Sequence, residues 1–137
     1  MRAFVLIPFL LLTPPAGADV LPFSTPSRNI ECSVGMGEGP SDILCVIHEK
    51  TGPDPRPRPA GCSGPWGHHF SMTERGPVTM TCGGPGPRNT ARHVEIADYG
   101  VTGRFDGITC LSERTGFSCK NADGHGFFLS RAKRTVQ

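Results

Sequence analysis

The five histidines are the residues in this chain best suited to metal chemistry. His68 and His69 are adjacent, so on a strand they point to opposite faces and cannot chelate one ion as an i, i+2 pair would. His48, His93 and His125 lie far apart, and no Cys/His zinc spacing occurs. We therefore expect structural or surface roles for the histidines, with no metal and no cofactor.

Nucleophilic and acid–base catalysis find little support in the sequence. No Gly-x-Ser-x-Gly turn occurs, and the segment 61–64 (GCSG) is too short and contains a cysteine. Carboxylate pairs for glycoside hydrolysis depend on three-dimensional geometry, so the 12 acidic residues decide nothing. We predict no catalytic residues, and a small hydrolase stays an alternative.

The most distinctive candidate is His125, because a glycine stands on either side of it. One interpretation is structural, with the ring capping a hairpin through a hydrogen bond to a backbone carbonyl. The other is an exposed ligand contact. For this second interpretation the predicted recognition surface consists of Asn121, Asp123, His125 and Arg131.

The C-terminal tail carries a small basic cluster at residues 131–134 (RAKR). Such a cluster near a terminus is typical of a solvated segment, which is our prediction. The alternative is a patch that binds a small anion or an envelope polymer.

The first eighteen residues are typical of a cleaved secretory signal. Arg2 supplies a basic start, residues 3–12 (AFVLIPFLLL) form an apolar run, and residues 16–18 (AGA) provide the small residues of a cleavage site. The apolar run is shorter than the roughly 18 residues of a membrane span. We expect residues 1–18 to be removed. The remaining domain, residues 19–137, is then secreted or periplasmic and has no transmembrane anchor.

All six cysteines follow that segment: Cys32, Cys45, Cys62, Cys82, Cys110 and Cys119. An even number in an exported chain of this size implies disulfides rather than thiols. Fifteen connectivities are possible, and pairing of neighbours is the simplest because each neighbouring pair brackets a plausible turn. Each bridge would contribute about 3 kcal/mol by the chain-entropy argument, so the bridges decide whether the chain folds.

Charge and composition restrict the class of protein. The 14 basic and 12 acidic residues are too balanced to favour nucleic acid or an anionic membrane. The 18 glycines and 14 prolines leave room for few long helices. Together with the cysteines, this composition favours a loop-rich β domain over disorder.

Short alternating segments predict seven to nine mostly antiparallel strands. Residues 29–34 and 43–47 form a hairpin signal, residues 93–97 alternate in a strand pattern, and residues 105–111 are predicted as one strand. Residues 49–65 contain five prolines and indicate a rigid polyproline-type connector, with a docking peptide as the alternative. Trp66 is predicted to plug the core beside a disulfide.

Four stretches form a distinctive set: residues 23–32 (FSTPSRNIEC), residues 66–67 (WG), residues 99–100 (YG), and residues 110–131, which end in CKNADGHGFFLSR. The set resembles a family of domains of unknown function in small secreted bacterial proteins. That family usually has glycine at the position of Arg28 and an aromatic residue soon after the final Ser-Arg. The resemblance implies export, disulfides between neighbouring cysteines and a compact β-rich domain. It implies no activity.

The sequence thus predicts an all-β, mainly antiparallel, disulfide-stapled single domain of short strands and hairpins. We expect an exported, non-catalytic binding or cell-envelope-associated module. Its partner would be an envelope component or a protein and not nucleic acid. The alternative is a small secreted hydrolase or an inhibitor of one.

Overall fold

The structure is a computed structural model that describes residues 19–137. Within these residues it contains no helix, and hence none that could cross a membrane. Its strands are β1 (Asp19–Ser24), β2 (Ile30–Met36), β3 (Asp42–Ile47), β4 (His69–Thr73), β5 (Thr79–Thr81), β6 (Glu95–Ile96), β7 (Thr102–Phe105), β8 (Ile108–Glu113), β9 (Gly116–Lys120), β10 (Gly126–Leu129) and β11 (Arg134–Val136). The all-β, disulfide-stapled fold class is confirmed. The secretory signal predicted for residues 1–18 lies outside the described residues.

The strands form two sheets that pack face to face. One sheet has the order β5-β4-β3-β2-β1-β6 and the other the order β11-β10-β9-β8-β7. A single buried cluster contains side chains of both sheets. Between the sheets, Phe70 packs on Phe127 with ring centroids 5.9 Å apart, and Phe23 packs on Phe105 at 6.0 Å. The fold is therefore a β-sandwich with its core between the two layers.

The central strands owe their position to alternating side chains. In β2, Ile30, Cys32 and Val34 are buried, and in β3 the same is true of Ile43, Cys45 and Ile47. Period-two alternation places one apolar face of a strand on the core. A one-residue slip of either strand would turn its apolar face to solvent. Each aliphatic side chain exposed in this way would lose about 1.5–3 kcal/mol of burial free energy, which holds the register.

Neighbouring cysteines are bridged, as predicted. The bridges are Cys32–Cys45, Cys62–Cys82 and Cys110–Cys119. The first and third join residues directly opposite each other in β2 and β3 and in β8 and β9, with Cα atoms 4.1 and 4.0 Å apart. Both lie in the core. The first bridge cross-links the β2–β3 hairpin of one sheet, and the third cross-links the β8–β9 hairpin of the other sheet. The second ties the loop before β4 to the residue after β5.

The prediction of one strand over residues 105–111 is wrong. Asp106 and Gly107 form a turn that separates β7 from β8, and Asp106 has a φ of 53°. Asp-Gly is a strong signal for a two-residue hairpin turn, and aspartate tolerates the left-handed conformation that Asp106 adopts here. With this extra hairpin and β11, the described residues hold eleven strands rather than seven to nine.

The segment predicted as a strand at residues 93–97 is strand only at Glu95–Ile96. It pairs with β1 in a parallel arrangement, with Phe23 opposite Glu95. This is the one parallel pair among the described strands. It arises because the chain crosses from the β5 edge of its sheet to the β1 edge over residues 82–94.

The prediction of a solvated tail is wrong for Arg134. Residues Arg134–Val136 form β11, which pairs with β10 at the edge of its sheet. The side chain of Arg134 is fully buried, with 0% relative exposure. Its guanidinium donates hydrogen bonds of 2.6–3.1 Å to the main-chain carbonyls of Thr51, Gly52, Pro53 and Arg131.

The proline-rich connector is held against the sandwich at several points. No strand forms in residues 49–65, in agreement with a polyproline-type segment. Arg134 anchors its beginning, and the indole Nε1 of Trp66 donates to the Arg56 carbonyl at 2.9 Å. Arg56 in turn donates to the Val78 carbonyl at 2.8 Å. Trp66 is half-buried and packs against the core.

The turn between β1 and β2 holds Arg28 in an unfavourable backbone conformation. Arg28 has a φ of 59°, in the left-handed region that a side chain disfavours. The turn closes through hydrogen bonds from the Arg28 amide to the Thr25 carbonyl and from the Thr25 amide to the Ile30 carbonyl, both 2.9 Å. Glycine would adopt this conformation without steric cost.

Candidate functional site

One end of the sandwich carries a groove of about 420 Å³. The turns β1–β2, β8–β9 and β10–β11 surround it, together with residues that follow β3 and precede β7. Its floor is apolar and contains Ile30, Phe117 and Leu129. Its rim carries Arg88, Arg114, Arg131, Glu49, Glu113 and Tyr99. We call this cavity the end groove.

Asn29 fixes one wall of the end groove. Its side-chain Nδ2 donates to the Glu49 carbonyl at 2.9 Å, and its Oδ1 accepts from the Glu49 amide at 2.7 Å. This reciprocal pair joins the β1–β2 turn to the residues after β3. The backbone of Glu49 is therefore fixed by hydrogen bonds at both its amide and its carbonyl, which fixes where its side chain leaves the main chain.

Two arginines of the rim use few of their N–H donors within the described part of the protein. Arg114 lies over the ring of Tyr99, with its guanidinium carbon 4.9 Å from the ring centroid. Arg88 donates from Nε to the Arg28 carbonyl at 3.2 Å. Within residues 19–137 these are the contacts found for the two guanidinium groups, each of which carries five N–H donors. A planar guanidinium matches the two oxygens of a carboxylate or phosphate.

Arg131 is the predicted site residue that lies in the end groove. Its Nη1 is 3.7 Å from the Glu49 carboxylate, and the two side chains are 65% and 59% exposed. An ion pair this exposed contributes little stability, so a ligand can replace it at small cost. The main-chain carbonyl of Arg131 accepts from the Thr51 amide at 2.8 Å, which holds the backbone in place.

Asn121 lies at the other end of β9, where it joins the two sheets. It is 5% exposed. Its Nδ2 donates to the carbonyls of Thr73 and Gly76 at 3.1 and 2.7 Å. Its Oδ1 accepts from the amides of Asp123 and His125, both at 3.1 Å. These bonds use both donors and both acceptor positions of the amide, so its polar groups are satisfied inside the protein.

Asp123 extends this connection between the sheets. Its carboxylate accepts from the Gly76 amide at 2.7 Å and from Arg75 Nη1 at 3.0 Å. We call the contact between residues 73–76 and residues 121–123 the inter-sheet clasp. The structure thus brings Asn121 and Asp123 together at the clasp, away from Arg131. Their role in binding stays a prediction.

His125 lies beside the clasp, directly before β10. Its Nδ1 is 3.2 Å from the main-chain oxygen of Gln137, a contact of the kind that the capping interpretation requires. The backbone conformation and packing explain why glycine stands on either side of His125. Gly124 has a φ of 83°, and a Cβ at Gly126 would clash with the carbonyl oxygen of Cys119. The ligand contact predicted for His125 is untested by this geometry.

Other histidine rings are engaged within the protein. His48 Nε2 lies 2.7 Å from the Glu31 carboxylate. His68 Nδ1 lies 2.6 Å from the Ile47 carbonyl, and His69 Nε2 lies 2.7 Å from the Gly84 carbonyl. No group of three or more metal-binding side chains occurs in the part of the chain that the structure describes.

The sequence interpretation missed Arg88, Tyr99, Glu113 and Arg114 as members of one site. They come from the loop after β5, the turn before β7 and the β8–β9 turn. The available signals were weak: Tyr99 belongs to one of the family stretches, and the Glu-Arg pair opens a predicted turn. Only the packing of the two sheets brings these separate turns to one end.

Comparison with known proteins places the chain in a family. The model of a family of unknown function (DUF6636) matches residues 4–137, so the chain belongs to that family. No curated protein and no solved structure matches it. Membership confirms the resemblance to a family of unknown function and assigns no activity; the closing motif and the export that the resemblance implies stay predictions.

Proposed function

We propose that this DUF6636 protein is an exported, non-catalytic binding module whose end groove takes an anionic glycan of the cell envelope. The observation that carries the proposal is the composition of the groove. Three guanidinium groups and two carboxylates stand around a small apolar floor. A binding site of this kind combines apolar surface with a few convergent polar groups.

The charges favour an anionic ligand. Arg88, Arg114 and Arg131 outnumber Glu49 and Glu113, and the Glu49 carboxylate already has Arg131 as a neighbour. The protein as a whole has a formal charge of only +2, so attraction would come from this local arrangement and not from the overall field. Bidentate contacts to carboxylate or phosphate are the strongest that these side chains make.

The shape of the groove favours a sugar ring over a free ion. Phe117 and Leu129 lie beneath the charged rim but are almost fully buried, so the apolar surface open to a ligand is that of Tyr99, which is 40% exposed at the edge of the groove. A uronic acid offers a ring with an apolar face and a carboxylate at one position. Such a ligand would use the Tyr99 ring and the guanidinium groups together.

The disulfides support action outside the cytoplasm. All six cysteines are bridged, and the structure leaves no cysteine free. Structural disulfides persist in oxidising compartments and are rare in the cytosol. This agrees with the secretory signal predicted for residues 1–18.

The test is a titration of the purified, disulfide-intact protein with oligogalacturonate, followed by calorimetry. Maltooligosaccharide of the same length serves as the uncharged ligand, and poly(glycerol phosphate) replaces carboxylate by phosphate. We expect the anionic ligands to bind and the uncharged one to bind much more weakly. Added salt should weaken binding, because the contacts are exposed and ionic.

Two variants locate the site. Arg114→Gln should lower the affinity about two- to fivefold, the value of an exposed charge contact. Arg104→Gln is the matched control, because Arg104 is an exposed arginine on β7 outside the groove. Equal effects of the two substitutions, or equal binding of charged and uncharged oligosaccharides, would refute the proposed site.

A hydrolase is the second candidate, since Glu49 and Glu113 line the same groove. Glycoside hydrolysis needs two carboxyl groups that flank the scissile bond. The same oligogalacturonate incubation answers this question when its products are analysed for new reducing ends. Product that disappears in Glu113→Gln would support the enzyme, whereas binding without product supports the module.

A further inference from the structure

A second cavity opens between the edges of the two sheets, and its lining is mainly apolar. It has a volume of about 470 Å³ and lies between β1 and β6 on one side and β7 and β8 on the other. Aliphatic and aromatic side chains dominate its lining: Val20, Leu21, Phe23, Ile96, Val101 and Phe105. We call it the apolar cleft.

Exposed apolar side chains concentrate at this cleft. The large hydrophobic residues exposed within residues 19–137 number six, and four of them line it. Their exposed fractions are 63% for Val20, 43% for Leu21, 40% for Ile96 and 49% for Val101. Single exposed hydrophobic residues are ordinary, but a cluster around a concavity marks a binding site.

The cleft is held open by the segment that crosses between the sheets. The Ala97 amide donates to the Ser24 carbonyl at 2.8 Å, which ties the segment to β1. The Gly100 amide donates to the Ser112 carbonyl at 2.7 Å, and the Ser112 hydroxyl donates to the Ala97 carbonyl at 2.8 Å, which ties it to β8. Because the segment is anchored to both layers, the cleft is preformed and a ligand need not order it.

The size of the cleft suits one small molecule. Its volume falls within the roughly 300–1,000 Å³ typical of ligand pockets. A stable protein partner would need about 800 Å² on each side, which is a much wider surface than one cleft offers. The lining from β1, β6, β7 and β8 is apolar along both walls, which fits a hydrocarbon chain.

The charge at the rim restricts the head group of that ligand. Among the described lining residues, Glu95 is the one carboxylate and His93 the one imidazole, and both are exposed. No lysine or arginine of residues 19–137 lines the cleft. A head group with a negative charge would therefore meet the Glu95 carboxylate without a fixed cation to balance it.

We propose that the apolar cleft binds a single hydrocarbon chain of an amphiphile whose head group is neutral or cationic. The chain lies between Phe23 and Ile96 of one layer and Val101 and Phe105 of the other. The head group remains at the rim beside Glu95. This site shares Phe117 with the end groove but none of the charged residues of its rim.

Three single-chain detergents of equal chain length test the proposal below their critical micelle concentrations. They are dodecyltrimethylammonium, dodecyl maltoside and dodecanoate, and each is titrated into the purified, disulfide-intact protein by calorimetry at two temperatures. We expect the cationic and neutral compounds to bind with a negative heat-capacity change, the mark of apolar burial. Dodecanoate should bind about fivefold more weakly, the effect of one like charge near the surface.

Substitutions separate the chain site from the head-group site. Val101→Asp should weaken all binding roughly tenfold, since it puts a charge on the apolar wall. Ile96→Ser, on the opposite wall, is a second variant with the same expectation. Leu44→Asp is the matched control, because Leu44 is 38% exposed and does not line the cleft. Glu95→Gln should abolish the discrimination against dodecanoate and leave chain binding intact.

The outcomes distinguish the parts of the proposal. Absence of binding for every detergent, or equal losses in Val101→Asp and Leu44→Asp, would overturn the cleft as a chain site. Dodecanoate binding as tightly as the cation would overturn the head-group assignment. Oligogalacturonate binding serves as an internal control, since Val101→Asp lies outside the end groove and should not change it.

Discussion

Arg134 offers the sharpest test of how this fold is held together. Its side chain has 0% relative exposure, and it donates to four main-chain carbonyls, three of them at residues 51–53. It also lies 3.5 Å from the Asp54 carboxylate. Arg134→Ala removes the group that connects β11 to the beginning of the proline-rich connector. The carbonyls of residues 51–53 lose this donor, whereas the Arg131 carbonyl keeps the Thr51 amide.

The expected cost follows from these contacts. A hydrogen bond to a charged group contributes about 1.5–3 kcal/mol, but the four bonds are not additive, because water enters the space left by truncation. Asp54 keeps Lys50 as a partner at 2.9 Å. Leaving a buried carbonyl without its donor costs about 1–3 kcal/mol, so the loss of three such donors is expected to lower the free energy of unfolding by about 3–5 kcal/mol. That is a large fraction of the ~5–15 kcal/mol that stabilises a typical domain.

The assay is urea unfolding of the disulfide-intact protein, followed by tryptophan fluorescence. Trp66 reports on the same region, since its indole is bonded to Arg56 in the connector. Arg131→Ala is the matched control, and with a side chain 65% exposed it should change the free energy of unfolding by less than about 0.5 kcal/mol. A loss below about 1 kcal/mol for Arg134→Ala would refute the argument that this guanidinium anchors the connector.

Three further predictions concern the turns and the bridges. Arg28→Gly should raise the free energy of unfolding by about 0.5–1 kcal/mol, because glycine adopts the φ of 59° without strain. Arg104→Gly within β7 is the control and should lower the free energy of unfolding; a decrease for both variants would contradict the turn argument. Asn121→Ala should cost about 2–4 kcal/mol in urea unfolding, because it breaks every hydrogen bond of the amide in the clasp, and a change under about 0.5 kcal/mol would favour a ligand-facing role instead. When the protein is reduced in steps and its thiols are located by mass spectrometry, the Cys62–Cys82 bridge should be reduced first, because Cys82 is exposed while the cysteines of the other two bridges are buried. Earlier reduction of either core bridge would contradict this argument.

Much of the fold could be predicted from local patterns. The alternation in residues 29–34 and 43–47 predicted the first hairpin, because period-two burial is a property of the strand itself. Neighbour pairing of the cysteines followed from turns that the sequence marks. The hairpin at Asp106-Gly107 was available from the same kind of signal and was missed, since apolar residues on both sides suggested one continuous strand.

The candidate site was less accessible to this reasoning. Residues 119–131 were singled out for their density of special residues, yet Asn121 and Asp123 form hydrogen bonds across the clasp. A polar side chain in a turn has the same appearance in sequence whether its partner is a ligand or a backbone amide. The same holds for Arg134, which a basic tail predicts to be solvated.

The sequence by itself determined the fold class, the presence of disulfides and the first hairpin, because these depend on residue types and short spacings. Tertiary structure alone decided which side chains meet. The end groove combines residues from 25 to 131, and the apolar cleft combines residues of β1 and β6 in one sheet with residues of β7 and β8 in the other. Such contacts depend on how two sheets stack, and the free energy of stacking belongs to the whole core rather than to any local segment.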